Sequence, residues 1–291
     1  GIDDGEEQTV LDFGIKKGMN KGIIGNADAS IGTHNRYAER LMGALFKDKS
    51  RVMLMGNANN TNDKGFPGGG GGGHFGGGLQ GLNSSKMMGA NFNYNRNKIF
   101  ILDGSIRWNH SNGDVRTEQS TENFVSNIGS FSNSFNQNYT RSNSWDARLR
   151  MEWKPDTMTN IMFRPTIKYS TSDGLSLSTS ASYNDDPYLY VTNPLSPESI
   201  LQMAEDSLMV NTRKNNSITY SENKSLGIML QINRKLNSKG RNVTLRTNVT
   251  YNDNKSKSLS TSNVHLYQIK NSSGVDSVYQ TNRYNLTPTK S

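Results

Sequence analysis

The 291-residue chain contains no cysteine. That excludes disulfides and thiolate metal sites and leaves the compartment open. It also has no run of about 18 apolar residues, so no membrane-crossing helix is encoded. Hydrophobic residues make up 32% and mean hydropathy is −0.73. A soluble chain of this size carries about 45–50% apolar residues counting glycine, and this one stays below that even with its 28 glycines added, so a conventional core is thinly supplied. The four histidines, His34, His74, His110 and His265, lie far apart and none has a partner at metal-ligand spacing. No nucleophile elbow, hydrolase signature or cofactor-binding motif occurs, so no catalytic residue is assigned and no enzymatic activity is expected. The net charge of +8 comes from dispersed Lys and Arg without an aromatic-interleaved basic patch, which argues against nucleic acid as a partner.

What the chain does contain is alternation. From Trp145 to Lys154, Trp145, Ala147, Leu149, Met151 and Trp153 occupy one face of an extended strand, and Asp146, Arg148, Arg150, Glu152 and Lys154 occupy the other. The two tryptophans stand about 27 Å apart along the strand at about 3.4 Å per residue. With tilt, that approaches the aromatic-bordered apolar band, about 25 Å tall, of an outer-membrane barrel. Phe100, Leu102, Gly104, Ile106 and Trp108 repeat the rule, as do Val243, Leu245, Thr247, Val249 and Tyr251. The abundance of Asn, Ser, Thr and Gly reads as disorder on composition alone, but a barrel with a wet lumen needs apolar residues at only every second position.

About ten strands are expected, near 8–17, 21–33, 36–47, 50–60, 86–96, 98–112, 141–154, 157–171, 223–236 and 240–254. Every second connection is tight, built from turn residues beside charge: 18–20, 47–50, 95–98, 154–157 and 237–240. The intervening connections are mostly long, about 26 residues after Asn60, about 29 after Asn112 and about 50 after Thr171. Short turns at one end and long loops at the other match periplasmic turns and extracellular loops. Pro165 cannot donate a ladder hydrogen bond, so a bulge is expected there. Asp12, Asp28 and Asp103 fall on strands, where pairing with Arg107 or Arg148 accounts for inward carboxylates.

Three loops stand out. Glycines from Gly68 to Gly73, followed by His74 and Phe75, resemble a phosphate cradle but lack the Lys-Ser/Thr ending, and read as a flexible extracellular loop. Ser196, Pro197 and Glu198 open the one credible helix, with Ile200, Leu201, Ala204 and Leu208 at helical spacing, expected to lie on the barrel mouth. Asp185 and Asp186 beside Tyr188 and Tyr190 form a candidate sugar or calcium contact, although turn chemistry explains Asn184 to Pro187 equally well. Asp185, Asp186, Tyr188, Tyr190, His74 and Phe75 are therefore the ligand-contact candidates, and no metal-ligand set is assigned.

The opening Asp3-Asp4-Gly5-Glu6-Glu7-Gln8-Thr9-Val10-Leu11-Asp12-Phe13, then Lys16-Lys17-Gly18-Met19-Asn20-Lys21-Gly22, Gly25-Asn26-Ala27 and the run Gly56 to Phe66, resembles outer-membrane barrels of the TonB-dependent receptor type found in Bacteroidetes. The likeness is fairly specific over residues 3–96 and architectural beyond. It implies a plug, a coupling box for the periplasmic TonB-type protein and a barrel of roughly 22 strands. Neither plug nor box is present in these residues, and the chain, opening at Gly1 and ending at Ser291, reads as an internal segment. The expectation is an all-β, antiparallel transmembrane β-barrel segment of a Gram-negative outer membrane, contacting lipid. Its parent would take up a small solute or glycan with TonB-type coupling; the alternative is a surface-binding, adhesive barrel that transports nothing.

Overall fold

The computed structural model describes residues 21–61, 82–125, 128–237 and 240–291. Ten strands form one antiparallel sheet: β1 (Lys21–Ile31), β2 (Tyr37–Lys47), β3 (Ser50–Asn59), β4 (Leu82–Arg96), β5 (Phe100–Glu122), β6 (Phe131–Trp153), β7 (Thr159–Tyr183), β8 (Met209–Lys235), β9 (Asn242–Lys270) and β10 (Asp276–Lys290). Each strand pairs with its sequence neighbours, so the sheet is an up-and-down meander in the order β1 to β10. That is the antiparallel all-β architecture of a barrel wall.

Registers put the alternating rows side by side. Phe100, Leu102, Gly104, Ile106 and Trp108 stand directly opposite Trp153, Met151, Leu149, Ala147 and Trp145. Ile161, Phe163, Ile167 and Tyr169 continue the row on β7, facing Ile232, Leu230, Leu226 and Lys224 on β8. Leu226, Ile228 and Ile232 then face Tyr251, Val249 and Leu245. On the other side Phe92, Ala90 and Met88 meet Val52, Leu54 and Gly56, and those meet Leu45, Gly43 and Leu41. One apolar belt therefore crosses β2 to β9 on a single face. It is not buried within the chain: Leu54 is 55% exposed, Ile167 54% and Val249 54%. In water a patch of this extent would be an association site.

The belt has aromatic borders. Trp108 and Trp145 meet across strands with ring centroids 6.2 Å apart, and Tyr94 and Phe100 meet at 6.2 Å at the opposite border. Gly104 lies under the ring of Phe92, where any Cβ would collide with ring carbons, so the glycine lets a large side chain lie flat across the sheet.

Several expectations are corrected. The strands beyond the belt are much longer than the alternating apolar pattern suggested: β5 to β9 run 23 to 29 residues. The expected 29-residue loop after Asn112 is mostly strand, reduced to residues 123–130. The 50-residue loop after Thr171 shrinks to residues 184–208, and residues 255–290 form most of a hairpin that was not expected. Pro165 makes no bulge. The β6–β7 register is unchanged on either side of it, and the ladder omits only the positions opposite Arg150 and Leu149, while Pro165 keeps its place opposite Ile228. The expected strand 8–17, the turn 18–20, Asp12 and the glycine-rich loop with His74 and Phe75 lie outside the described residues.

Candidate functional site

Above the belt the sheet continues from Trp145 to Phe131 on β6, fourteen steps or about 45 Å along the strand. On the face opposite the belt this extension has a nearly uniform lining. Every even position from 132 to 144 on β6 is Ser, Thr or Asn; those from 170 to 182 on β7 are Ser apart from Gly174; those from 252 to 262 on β9 are Asn or Ser. On β8 the odd positions from 211 to 223 follow suit, with Arg213 their one charge.

Antiparallel registers bring these short side chains together in cross-strand pairs. Ser176 Oγ donates to Asn138 Oδ1 at 2.7 Å, Ser178 Oγ to Asn136 Oδ1 at 2.7 Å, and Ser262 Oγ to Asn215 Oδ1 at 2.7 Å. Ser111 and Ser142 share a hydroxyl hydrogen bond at 2.7 Å. The result is a surface of hydroxyls and amides, able to exchange hydrogen bonds with a neutral polar solute without imposing charge. On β7 Leu175, Leu177, Ala181 and Tyr183 alternate with serine, and on the other strands the signal was the Ser, Thr or Asn at every second position, which composition alone reads as low complexity.

At belt level the same face is ionic. Glu152 accepts from Arg150 at 3.0 Å and pairs with Lys154 at 3.2 Å, and Arg150 reaches Asp103 at 3.6 Å. Asp103 also accepts from Asn93. Its guanidinium partner is thus Arg150, not the expected Arg107 or Arg148; Arg148 instead pairs with Asp146 on its own strand at 2.8 Å. Residues two apart on one strand share a face, which makes that local pairing available.

The candidates of the 184–208 loop lie elsewhere. Asp186 caps the short 3-10 turn Pro187–Leu189 by accepting from the Tyr188 amide at 3.0 Å. Asp185 accepts from the Asp186 amide at 2.8 Å and from the Tyr190 hydroxyl at 2.9 Å, and that hydrogen bond holds the Tyr190 phenol above its ordinary range. The Tyr188 hydroxyl accepts from Asn133 Nδ2 at 2.8 Å. These contacts are turn and anchoring chemistry. The structure brings Asp185, Asp186, Tyr188 and Tyr190 together, but on the belt side of the sheet, away from the hydroxyl lining.

The helix α1 (Pro197–Glu205) follows with Ser196 as cap, accepting from the Ser199 amide at 3.2 Å, and Pro197 in the first turn. It ends in a Schellman arrangement: Ser207 has φ 59°, Ser207 N–H donates to Ala204 O at 3.1 Å, and Leu208 N–H to Met203 O at 2.9 Å. It packs Ile200 and Met203 against Ala181, Tyr183 and Met209 at the ends of β7 and β8, with Phe131 and Tyr267 alongside. Leu201, expected on its apolar face, is exposed. Tyr183 is fully buried and donates to Pro194 O at 2.8 Å; burial, with Tyr188 and Tyr267 nearby, pushes its phenol far up. The segment 184–208 carries five carboxylates and no Lys or Arg.

Protein-family models and curated proteins offer no match to this chain. Among solved structures, the chain is similar to one described as "Copper transporter OprC", at 10% identity with a TM-score of 0.25, covering 85% of this chain. The chain spans 45% of that structure's length.

Proposed function

We propose that this chain forms part of the wall of a Gram-negative outer-membrane β-barrel through which a small polar solute or glycan is taken up. The observation that carries the reading is the aromatic-bordered belt, continuous over eight registered strands and exposed on the face opposite a polar lining. Exposed apolar rows of this kind are stable against hydrocarbon, where every backbone group must find its partner in a neighbouring strand. The hydroxyl and amide lining above it, with Arg213 the one charge on its β8 row, suits capture of a solute rich in hydrogen-bonding groups. Energy coupling through a TonB-type protein follows from the resemblance of residues 3–96 and belongs to the N-terminal part that resemblance implies. No catalytic step enters this reading.

The test is a whole-cell solute screen with the full-length protein, separating surface binding from accumulation. A solute that accumulates, and ceases to accumulate when a protonophore collapses the gradient while still binding the surface, supports coupled uptake. Solutes that bind and never accumulate would establish the adhesive alternative instead.

A further inference from the structure

The two ends of the sheet differ in charge. The described residues of the tight turns and their flanks, 47–51, 96–100, 154–158 and 234–241, carry nine Lys and Arg against the carboxylates Asp48 and Asp156 alone. With Lys154 also paired to Glu152 at 3.2 Å, six positive charges are left over at this end. Asp48 is engaged by Lys21 at 3.6 Å, and Asp156 by Arg234 at 3.8 Å. Beyond the other border of the belt Arg116 pairs with Asp114, Lys224 with Glu222 and Lys270 with Asp276, and the acidic segment 184–208 adds carboxylates without cations.

Arg96 shares the belt face with the exposed cations Lys21, Lys47 and Arg234, and it is the one that stands in register with Phe100 and Trp153. It stands opposite Phe100, and Phe100 stands opposite Trp153, so the guanidinium shares the lower aromatic border. Tyr94, Arg96, Ile99, Phe100 and Trp153 line a groove of about 510 Å³ there. The wall of the groove is fixed by backbone: Ile99 N–H donates to Arg96 O at 2.9 Å, with Asn97 and Lys98 at φ 52° and 60° in the tight turn, and Lys154 N–H donates to Ile99 O at 2.8 Å. Among the described residues Arg96 has no carboxylate partner.

We infer that this groove binds the phosphate headgroup of an anionic phospholipid of the periplasmic leaflet, with Arg96 on the phosphate and the rings of Tyr94, Phe100 and Trp153 against the glycerol and upper acyl chain. The inference rests on the membrane reading above. Charge complementarity selects the occupant: a guanidinium forms paired hydrogen bonds to phosphate oxygens, aromatic rings favour the interface, and the surrounding surplus of cations raises the local concentration of anionic lipid. A zwitterionic lipid supplies the same phosphate, but its own ammonium cancels the attraction of the rim. Lys98 of this turn and Lys49 of the neighbouring β2–β3 turn line a second cavity with Arg51 and Asp48, where three cations against one carboxylate add to that field.

Trp153 provides the readout. The full-length protein is reconstituted into phosphatidylcholine vesicles containing, at equal mole fraction, either brominated phosphatidylglycerol or brominated phosphatidylcholine. The Trp153 contribution is taken as the difference between the protein and its Trp153→Phe variant. Quenching of that contribution should favour the anionic lipid by about fivefold in local enrichment. The preference should fall by most of that factor in Arg96→Gln, return in Arg96→Lys, and be absent for Trp145 at the opposite border. Equal quenching by the two lipids, or a preference that Arg96→Gln leaves undiminished, overturns the site. Quenching of Trp153 by neither lipid overturns the membrane reading from which the site was drawn.

Discussion

Leu149 and Arg148 are neighbours in sequence and opposites in environment, and that difference is measurable. Leu149 belongs to the belt row opposite Gly104, while Arg148 joins the ionic face with Asp146 at 2.8 Å. Leu149→Arg should destabilise the bilayer-inserted protein by about 2–4 kcal/mol, because a charge near the hydrocarbon midplane cannot be solvated. Arg148→Ala should cost much less, since its ion pair is largely exposed. Denaturant titration in lipid vesicles compares them, and equal costs would remove the inside-outside assignment. A second residue-scale expectation concerns Asp276, held below the usual carboxylate range by hydrogen bonds from Lys270 at 3.0 Å and His265 at 3.2 Å. Because the folded state binds this proton more weakly, its stabilisation is present above the unfolded value near pH 4 and fades as pH falls through the lowered one. The melting-temperature gap between the protein and Asp276→Asn should therefore be positive at pH 7 and shrink steadily below about pH 4. Facing was legible from single residues because a strand has period two. Which carboxylate meets which cation was not, since Asp103 faces Arg150 across a register that the alternation cannot supply.

At the scale of elements, the sequence marked where apolar side chains alternate and fell silent where polar ones do. The belt portions of β2 to β9 were legible to within a few residues. The upper halves of β5 to β9 were not, because Ser, Thr and Asn are also the residues of turns, and outside Leu175 to Tyr183 on β7 their alternation carries little hydrophobic contrast. The tight turns and the Ser196 cap were legible because each has its own local chemistry. The docking of α1 was hidden, because its partners Tyr183 and Met209 come from strand ends that only the long β7–β8 pairing brings together. That docking is a separable unit. Met203 is fully buried, so Met203→Ala should cost the cap about 2–5 kcal/mol of local stability while leaving the belt intact. Chymotrypsin should then cut near Tyr188 to Tyr190 in the variant far faster than in the parent, with no change in the membrane-protected bands. Simultaneous loss of both would show that cap and belt unfold together.

For the whole molecule, charge and open edges set the remaining expectations. The acidic, cation-free segment 184–208 lies at one end of the sheet and the basic turns at the other. With the former extracellular, a cysteine at exposed Leu201 should react with an impermeant thiol reagent on intact cells, and one at Asn97 should not; the reverse pattern would invert the topology. Edges come next. The apolar row of β9, Val243 to Tyr251, pairs with β8 on one side, while β10 ends opposite Asp253 and Asn252 bonds to Ser291. Among the described residues that row, and the free side of β1, have no second partner. Each unpaired N–H and C=O facing hydrocarbon costs several kcal/mol, so two open edges spanning the belt outweigh the net stability of an ordinary domain. Closure against further strands removes that cost and leaves no template for other chains. Residues 1–291 expressed alone in detergent should therefore aggregate or pair edge to edge, and should become monodisperse only when the strands that close the wall are supplied. A heat-modifiable, monodisperse monomer of these residues alone on a denaturing gel would mean that β1 and β9–β10 close upon one another, giving a small ten-stranded barrel whose lumen is too narrow for a plugged receptor.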